Sequence, residues 1–147
     1  MESRMSVSAS EFAEYVEKYS GNIFTLCRLL LGQGSEAEEA AVKSFTELYI
    51  PYLRKGCDPQ SFSLLAYREC IRHCFRIAQG RKASSTACLS WEDQLVHALR
   101  YGLRLPLAEI SPILMKSMPE LKAQLRQIRE LLAAHEAALP NSSLSAG

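Results

Sequence analysis

Apolar residues recur three and four positions apart along almost the whole chain, and this spacing predicts helices. The clearest stretch is residues 99–132, which holds two apolar series separated by a short break. Ser117 lies at this break and suits the N-cap of a second helix, because its hydroxyl can accept a hydrogen bond from an unpaired backbone N–H. Pro119 follows in the first turn, where a missing N–H costs little. Two short helices at this spacing are typical of a helix-turn-helix, and a helical hairpin that binds no DNA is the alternative.

The remaining segments extend the helical pattern over most of the chain. Ser10, Ser35, Ser61 and Ser90 each precede an amphipathic run and are predicted to begin a helix, while Pro51 is expected to end a helix or begin a new turn. No strand pattern competes with these periods. We therefore predict an all-α protein made of two small helical bundles. The first has about four helices in residues 10–82 and the second three or four in residues 89–138, with a short linker at 83–88 and a disordered tail at 139–147.

Composition and charge bear on where the protein acts and on what its surfaces contact. The chain has 147 residues, 48% of them apolar, with a net charge of +1. No apolar run is long enough to insert in a membrane, and the N-terminal residues lack the apolar core of a signal peptide, so we expect a cytoplasmic protein. Residues 33–49 carry four glutamates and one lysine, a net charge of −3, whereas residues 65–82 carry five cations and one glutamate, a net charge of +4. This asymmetry predicts two different surfaces, and two solvated helix faces are the alternative.

The motifs resemble a bacterial RNA polymerase sigma factor of the extracytoplasmic-function group over about residues 10–134. The second bundle resembles region 4 of that family, without a gap, through Leu89-Ser90-Trp91-Glu92, Leu99-Arg100-Tyr101, residues 105–114 and residues 117–129. The first bundle resembles region 2 more loosely, through Leu30-Leu31-Gly32, residues 37–45, Leu48-Tyr49 and residues 62–68.

The resemblance implies a protein that binds core RNA polymerase and directs promoter recognition, with an anti-sigma factor as a further partner. It implies three groups of site residues. The polymerase-facing group is Glu38, Glu39, Phe45, Leu48 and Tyr49. The group that meets the upstream promoter element is Arg68, Arg72, Arg76, Arg81 and Lys82. The recognition-helix group is Ser117, Lys122, Arg126 and Arg129.

Several residues depart from the family pattern and favour an alternative, a sigma mimic or adaptor that binds an anti-sigma factor or polymerase without contacting DNA. Val42-Lys43 replaces a Gln-Glu pair, and Gln124 and Gln127 stand where arginine is frequent. Pro112 costs a helix interior roughly 3 kcal/mol, so its helix is expected to begin near Ser111 or to be kinked. The linker of about eight residues extends at most roughly 26–29 Å, which predicts that the two halves pack together or serve a partner.

The sequence offers little catalytic or metal-binding chemistry. His97 and His135 have no companion nucleophile or carboxylate at a telling spacing, so we expect no enzymatic activity and no cofactor. No metal is expected either, although one candidate set of ligands exists. Cys70, His73 and Cys74 share one helix at spacings of three and four, and buried structural cysteines are the alternative interpretation. The five cysteines are odd in number and suit reduced thiols.

Overall fold

The computed structural model describes residues 2–55, 59–80 and 89–138, and every regular element in these ranges is helical. This confirms the predicted all-α class. The helices are α1 (Glu2–Leu31), α2 (Ser35–Lys55), α3 (Pro59–Gln79), α4 (Trp91–His97), α5 (Leu107–Leu114) and α6 (Met118–Ala138), with a π-helical turn at Ala98–Gly102. The predicted linker at 83–88 and the predicted tail at 139–147 lie outside the described residues. None of the described helices is long and apolar enough to cross a membrane.

The first bundle has three described helices where about four were predicted. Helix α1 continues through Gly21, and Ser10 lies inside it, so the predicted cap at Ser10 is wrong. A glycine in a helix interior costs about 1 kcal/mol, which the buried apolar face on its C-terminal side, including Ile23 and Leu26, outweighs. Pro51 lies inside α2, which ends at Lys55, so the break expected at this proline is wrong as well. Helix α3 begins at Pro59 rather than at Ser61.

Aromatic side chains fill the centre of this bundle. Phe62 of α3 is 1% exposed and is in ring contact with residues of α1 and α2 at centroid distances of 4.9–6.4 Å. These neighbours are Phe12, Tyr15, Tyr19, Phe45 and Tyr52. Edge-to-face and tilted ring pairs of this kind add to the free energy gained by burial. The three helices are therefore joined at the N-terminal end of α3 by one aromatic cluster.

In the C-terminal half, α5 and α6 are two helices separated by a short turn, as their apolar spacing predicts. Ser90 caps α4 as predicted, because its Oγ accepts a hydrogen bond from the Asp93 N–H. Helix α5 begins at Leu107 and contains Pro112, so the start expected near Ser111 is wrong. The turn after α5 passes through Met115, whose backbone is left-handed, and the Lys116 N–H donates to the Ser111 carbonyl. This is the bonding pattern of a Schellman motif, which satisfies carbonyls at a helix C-terminus.

The two halves lie in contact, in agreement with the packing that the short linker predicts. Arg68 of α3 donates from Nη2 to the Pro112 carbonyl of α5 at 2.7 Å. The rings of Phe75 and Trp91 lie 5.6 Å apart, which joins α3 to α4. A side chain at Gly102 would collide with Leu29 Cδ1, so the π-helical turn approaches α1 closely. Buried apolar residues of both halves belong to one core.

Candidate nucleic-acid interface and thiol cluster

A capping box begins α6. The Ser117 hydroxyl accepts a hydrogen bond from the Glu120 N–H at 3.2 Å, and Glu120 Oε1 accepts one from the Ser117 N–H at 3.1 Å. These reciprocal bonds satisfy two N–H groups that have no partner within the helix. They also lower the pKa of Glu120, with the backbone N–H of Ser117 as the largest cause. Ser117 therefore fixes where α6 begins, and its hydroxyl is engaged in the cap.

Helix α6 presents three cations to solvent. Lys122, Arg126 and Arg129 are exposed, while Leu121 and Ile128 are fully buried on another face of the helix. The spacing of four and three residues places the cations on one stripe of the helix. Within the residues that the structure describes, none of the three side chains forms a hydrogen bond or an ion pair. The stripe is therefore free to meet an anionic partner such as a phosphate backbone.

Gln124 has a structural role that the sequence did not indicate. Its Oε1 accepts a hydrogen bond from Lys116 Nζ at 2.8 Å, and its Nε2 donates to Asp93 Oδ1 at 2.8 Å. These bonds join α6 to the preceding turn and to α4. The Gln124 amide thus holds α6 against α4 and the preceding turn.

The cations of α3 are largely engaged within the protein. Arg68 binds the Pro112 carbonyl. Arg72 Nη2 lies 2.7 Å from both Glu47 Oε2 and Glu69 Oε2, and the Glu69 carboxylate, followed by that of Glu47, raises the pKa of the guanidinium. Arg76 is exposed, and Arg81 and Lys82 lie outside the described residues. Two of the five cations that the resemblance assigns to the upstream promoter element therefore already have partners.

The surface predicted to face polymerase is only partly accessible. Glu38 and Glu39 are exposed and Tyr49 is 39% exposed, whereas Phe45 and Leu48 are buried in the core. An apolar groove of about 510 Å³ lies between α1 and α2. Its lining includes Phe12, Val16, Phe24, Val42, Tyr49 and Ile50. Val42 and Ile50 are 57% and 60% exposed, which makes them the prominent apolar side chains that sequence reasoning did not place on this surface.

Three buried thiols meet between α1 and α3. Cys27, Cys70 and Cys74 are each 0% exposed, and their Sγ atoms lie within 4.8 Å of one another. The Cys27 and Cys70 sulfurs are 3.3 Å apart. Hydrogen bonds from Cys70 and then Cys74 lower the pKa of Cys27 to about 4, and the same coupling raises the pKa of Cys70 and raises that of Cys74 to about 12. The opposite directions of these shifts mean that the three thiols titrate as one coupled group.

This geometry corrects the candidate ligand set Cys70, His73 and Cys74. The two cysteines lie four residues apart and so face α1, where they meet Cys27. His73 groups instead with Glu47 and Glu69, toward α2. The sequence held a signal for Cys27, since it lies four residues after Ile23 on the buried face of α1, but helical spacing alone does not show which helices face each other.

His73 is a buried base without a hydrogen-bond partner at Nε2. This atom lies 3.6 Å from Glu47 Oε1 and 3.5 Å from Glu69 Oε2, and no described residue satisfies it. Burial lowers the pKa of His73, as do Arg72 and Arg76, and together they outweigh the two carboxylates, which raise it. Folding therefore favours the neutral form of the imidazole.

No protein-family model matches this chain, and no curated protein matches it at a significant level. The resemblance to sigma factors thus rests on the sequence motifs alone, and the roles that it implies are proposals.

The lowered pKa of His73 predicts that folding stability depends on pH. The unfolded chain takes up a proton near pH 6.5, the ordinary value, whereas the folded chain does so at lower pH. Stability is therefore fully present above pH 6.5 and falls as the pH drops below it, by at most about 1.4 kcal/mol per pH unit. Urea unfolding between pH 7.5 and 5.5 measures the slope. We expect His73→Gln to reduce it and the exposed-site control His135→Gln to leave it unchanged; equal slopes in all three proteins would contradict the assignment.

Proposed function

We propose that this chain is a sigma-like transcription protein that contacts promoter DNA through its helix-turn-helix and binds core RNA polymerase. The observation that carries the proposal is the exposed stripe of Lys122, Arg126 and Arg129 on a helix whose start is fixed by the Ser117 capping box. Helix-turn-helix proteins place such a helix in the major groove. No described carboxylate neutralises the stripe, so its cations are available to phosphates.

The stripe is long enough to contact more than one phosphate of a DNA strand. Lys122 and Arg129 are seven residues apart, which is about 10 Å along a helix. Gln127 is exposed on the adjacent face of α6, about 100° around the helix from Arg126. A glutamine amide can pair with the N6 and N7 edge of adenine. In this proposal the cations hold the backbone and Gln127 meets a base edge. The chain itself performs no covalent chemistry.

The polymerase-facing surface in this proposal is α2 and the groove beside it. Glu38 and Glu39 supply exposed negative charge in its first turns, and Val42, Tyr49 and Ile50 supply exposed apolar area further along. An apolar centre with a charged edge is the usual composition of a protein interface. Phe45 and Leu48 lie on the buried side of α2 and pack in the core beneath this surface.

An adaptor that binds only proteins is the second candidate, and the contacts of α3 favour it. Arg68 and Arg72 are held by Pro112, Glu47 and Glu69, so α3 offers DNA few free charges. Such an adaptor would use α2 and the apolar groove, and α6 would not need to bind DNA.

Reversing one charge on α6 tests the DNA proposal. We expect Arg126→Glu to weaken binding of a mixed-sequence 30-base-pair duplex at low salt by about tenfold or more, equivalent to about 1.4 kcal/mol, because a phosphate contact becomes a repulsion. Lys43→Glu is the matched control, since it makes the same change in net charge at an exposed lysine of α2. Fluorescence anisotropy measures both. Equal losses in the two variants, or none, would contradict a DNA role for α6.

Placing a charge in the α1–α2 groove tests the polymerase proposal. We expect Ile50→Asp to abolish co-elution with bacterial core RNA polymerase in gel filtration, because it buries a charge at the apolar centre of the contact. Leu131→Asp, at an exposed leucine of α6, is the control and should co-elute. Wild-type protein that fails to co-elute would contradict the sigma-like function and would leave the adaptor only an anti-sigma factor as its partner. Co-elution without promoter-dependent transcripts would favour the adaptor.

A further inference from the structure

We propose that Cys27, Cys70 and Cys74 form a binding site for a soft, thiophilic metal ion held by three thiolates and no water. The three sulfurs come from two helices and converge within 4.8 Å, and none is accessible to solvent. This site is separate from the α6 stripe and from the α1–α2 groove. The inference therefore does not depend on the proposed transcription role.

The donor set and its spacing select the class of ion. Thiolates favour soft ions over hard ions such as Mg²⁺ and Ca²⁺. An ion about 2.3 Å from each of three sulfurs holds those sulfurs about 4 Å apart. The sulfurs of Cys27 and Cys70 are 3.3 Å apart, and no pair exceeds 4.8 Å. Shifts of less than 1 Å would thus complete the site.

Burial selects the coordination number. Ile23, Leu26 and Ala66, which lie on the same two helices, are each 0% exposed, so the surrounding core is apolar and offers no place for water. Among the described residues, no fourth cysteine, histidine or carboxylate joins the three sulfurs. Zinc in structural sites takes four ligands. Copper(I) and trivalent arsenic accept three sulfurs, so these two ions fit the site better than zinc does.

Binding is a ligand exchange without electron transfer. Copper(I) displaces three thiol protons and forms three Cu–S bonds, which leaves a complex with two negative charges. Arsenous acid, As(OH)₃, forms three As–S bonds and loses its three hydroxyls as water with the thiol protons, which leaves a neutral complex. Because burying net charge is costly, the neutral trithiolate suits this core particularly well. Either ion would link α1 to α3 across 43 residues of sequence.

The experiment uses the full chain, reduced and kept under anaerobic conditions, with copper(I), arsenite and zinc(II) supplied separately. We expect one equivalent of copper(I) or arsenic to bind, with X-ray absorption at the metal edge showing three sulfur neighbours and no oxygen or nitrogen. The melting temperature should rise with the ion, because the ion binds the folded site, where the three sulfurs converge, more tightly than it binds the unfolded chain. The absorption measurement needs no variant and so does not depend on the folding of any mutant.

Single substitutions locate the site. Cys27→Ala and Cys74→Ala should each lose the bound ion and the rise in melting temperature, with circular dichroism confirming that each variant is helical. The matched control is the double variant Cys57→Ala and Cys88→Ala, which removes two thiols outside the described residues and should bind as the wild type does. No binding of copper(I) or arsenite, tighter binding of zinc(II) than of both, or loss of the ion in the double variant would overturn the proposal.

Discussion

The rest of the structure depends on how α3 packs. It contacts α1 and α2 within its own half and α4 and α5 of the other half. One end of α3 inserts Phe62 into the aromatic cluster with α1 and α2. Its middle brings Cys70 and Cys74 to Cys27 of α1. Other faces hold Arg68 against α5 and Phe75 against Trp91 of α4. Through these contacts α3 joins the two halves.

The packing of α3 occupies two of its arginines, whereas the cations of α6 remain exposed. The guanidinium of Arg72 is shared between Glu47 and Glu69, and that of Arg68 is held by a carbonyl, so releasing either for DNA would break bonds within the protein. The cations of α6 face solvent because Leu121, Leu125 and Ile128 occupy the buried side of that helix. Any DNA contact is therefore expected from α6. The two halves would then approach DNA as one packed unit rather than as two arms.

Two helix caps were predictable from the sequence, whereas the helix starts predicted at Ser10 and Ser61 were wrong and the features set by tertiary contacts were not predictable. The caps at Ser90 and Ser117 follow from short-range hydrogen bonds and were confirmed. The continuity of α1 through Gly21 and of α2 through Pro51 depends on burial that outweighs local propensity. The partners of Arg72 and the replacement of His73 by Cys27 in the thiol cluster depend on which helices face each other. A single sequence carries no direct signal for that choice.

The salt dependence of DNA binding tests most directly whether α6 alone supplies the cations. The logarithm of the association constant falls with the logarithm of salt concentration by about 0.9 for each phosphate neutralised. Three contacts from Lys122, Arg126 and Arg129 predict a slope of about −3 for the wild-type protein on duplex DNA. A slope of about −5 or steeper would mean that cations outside α6 also reach phosphates, and it would contradict the claim that α6 alone supplies the DNA contact.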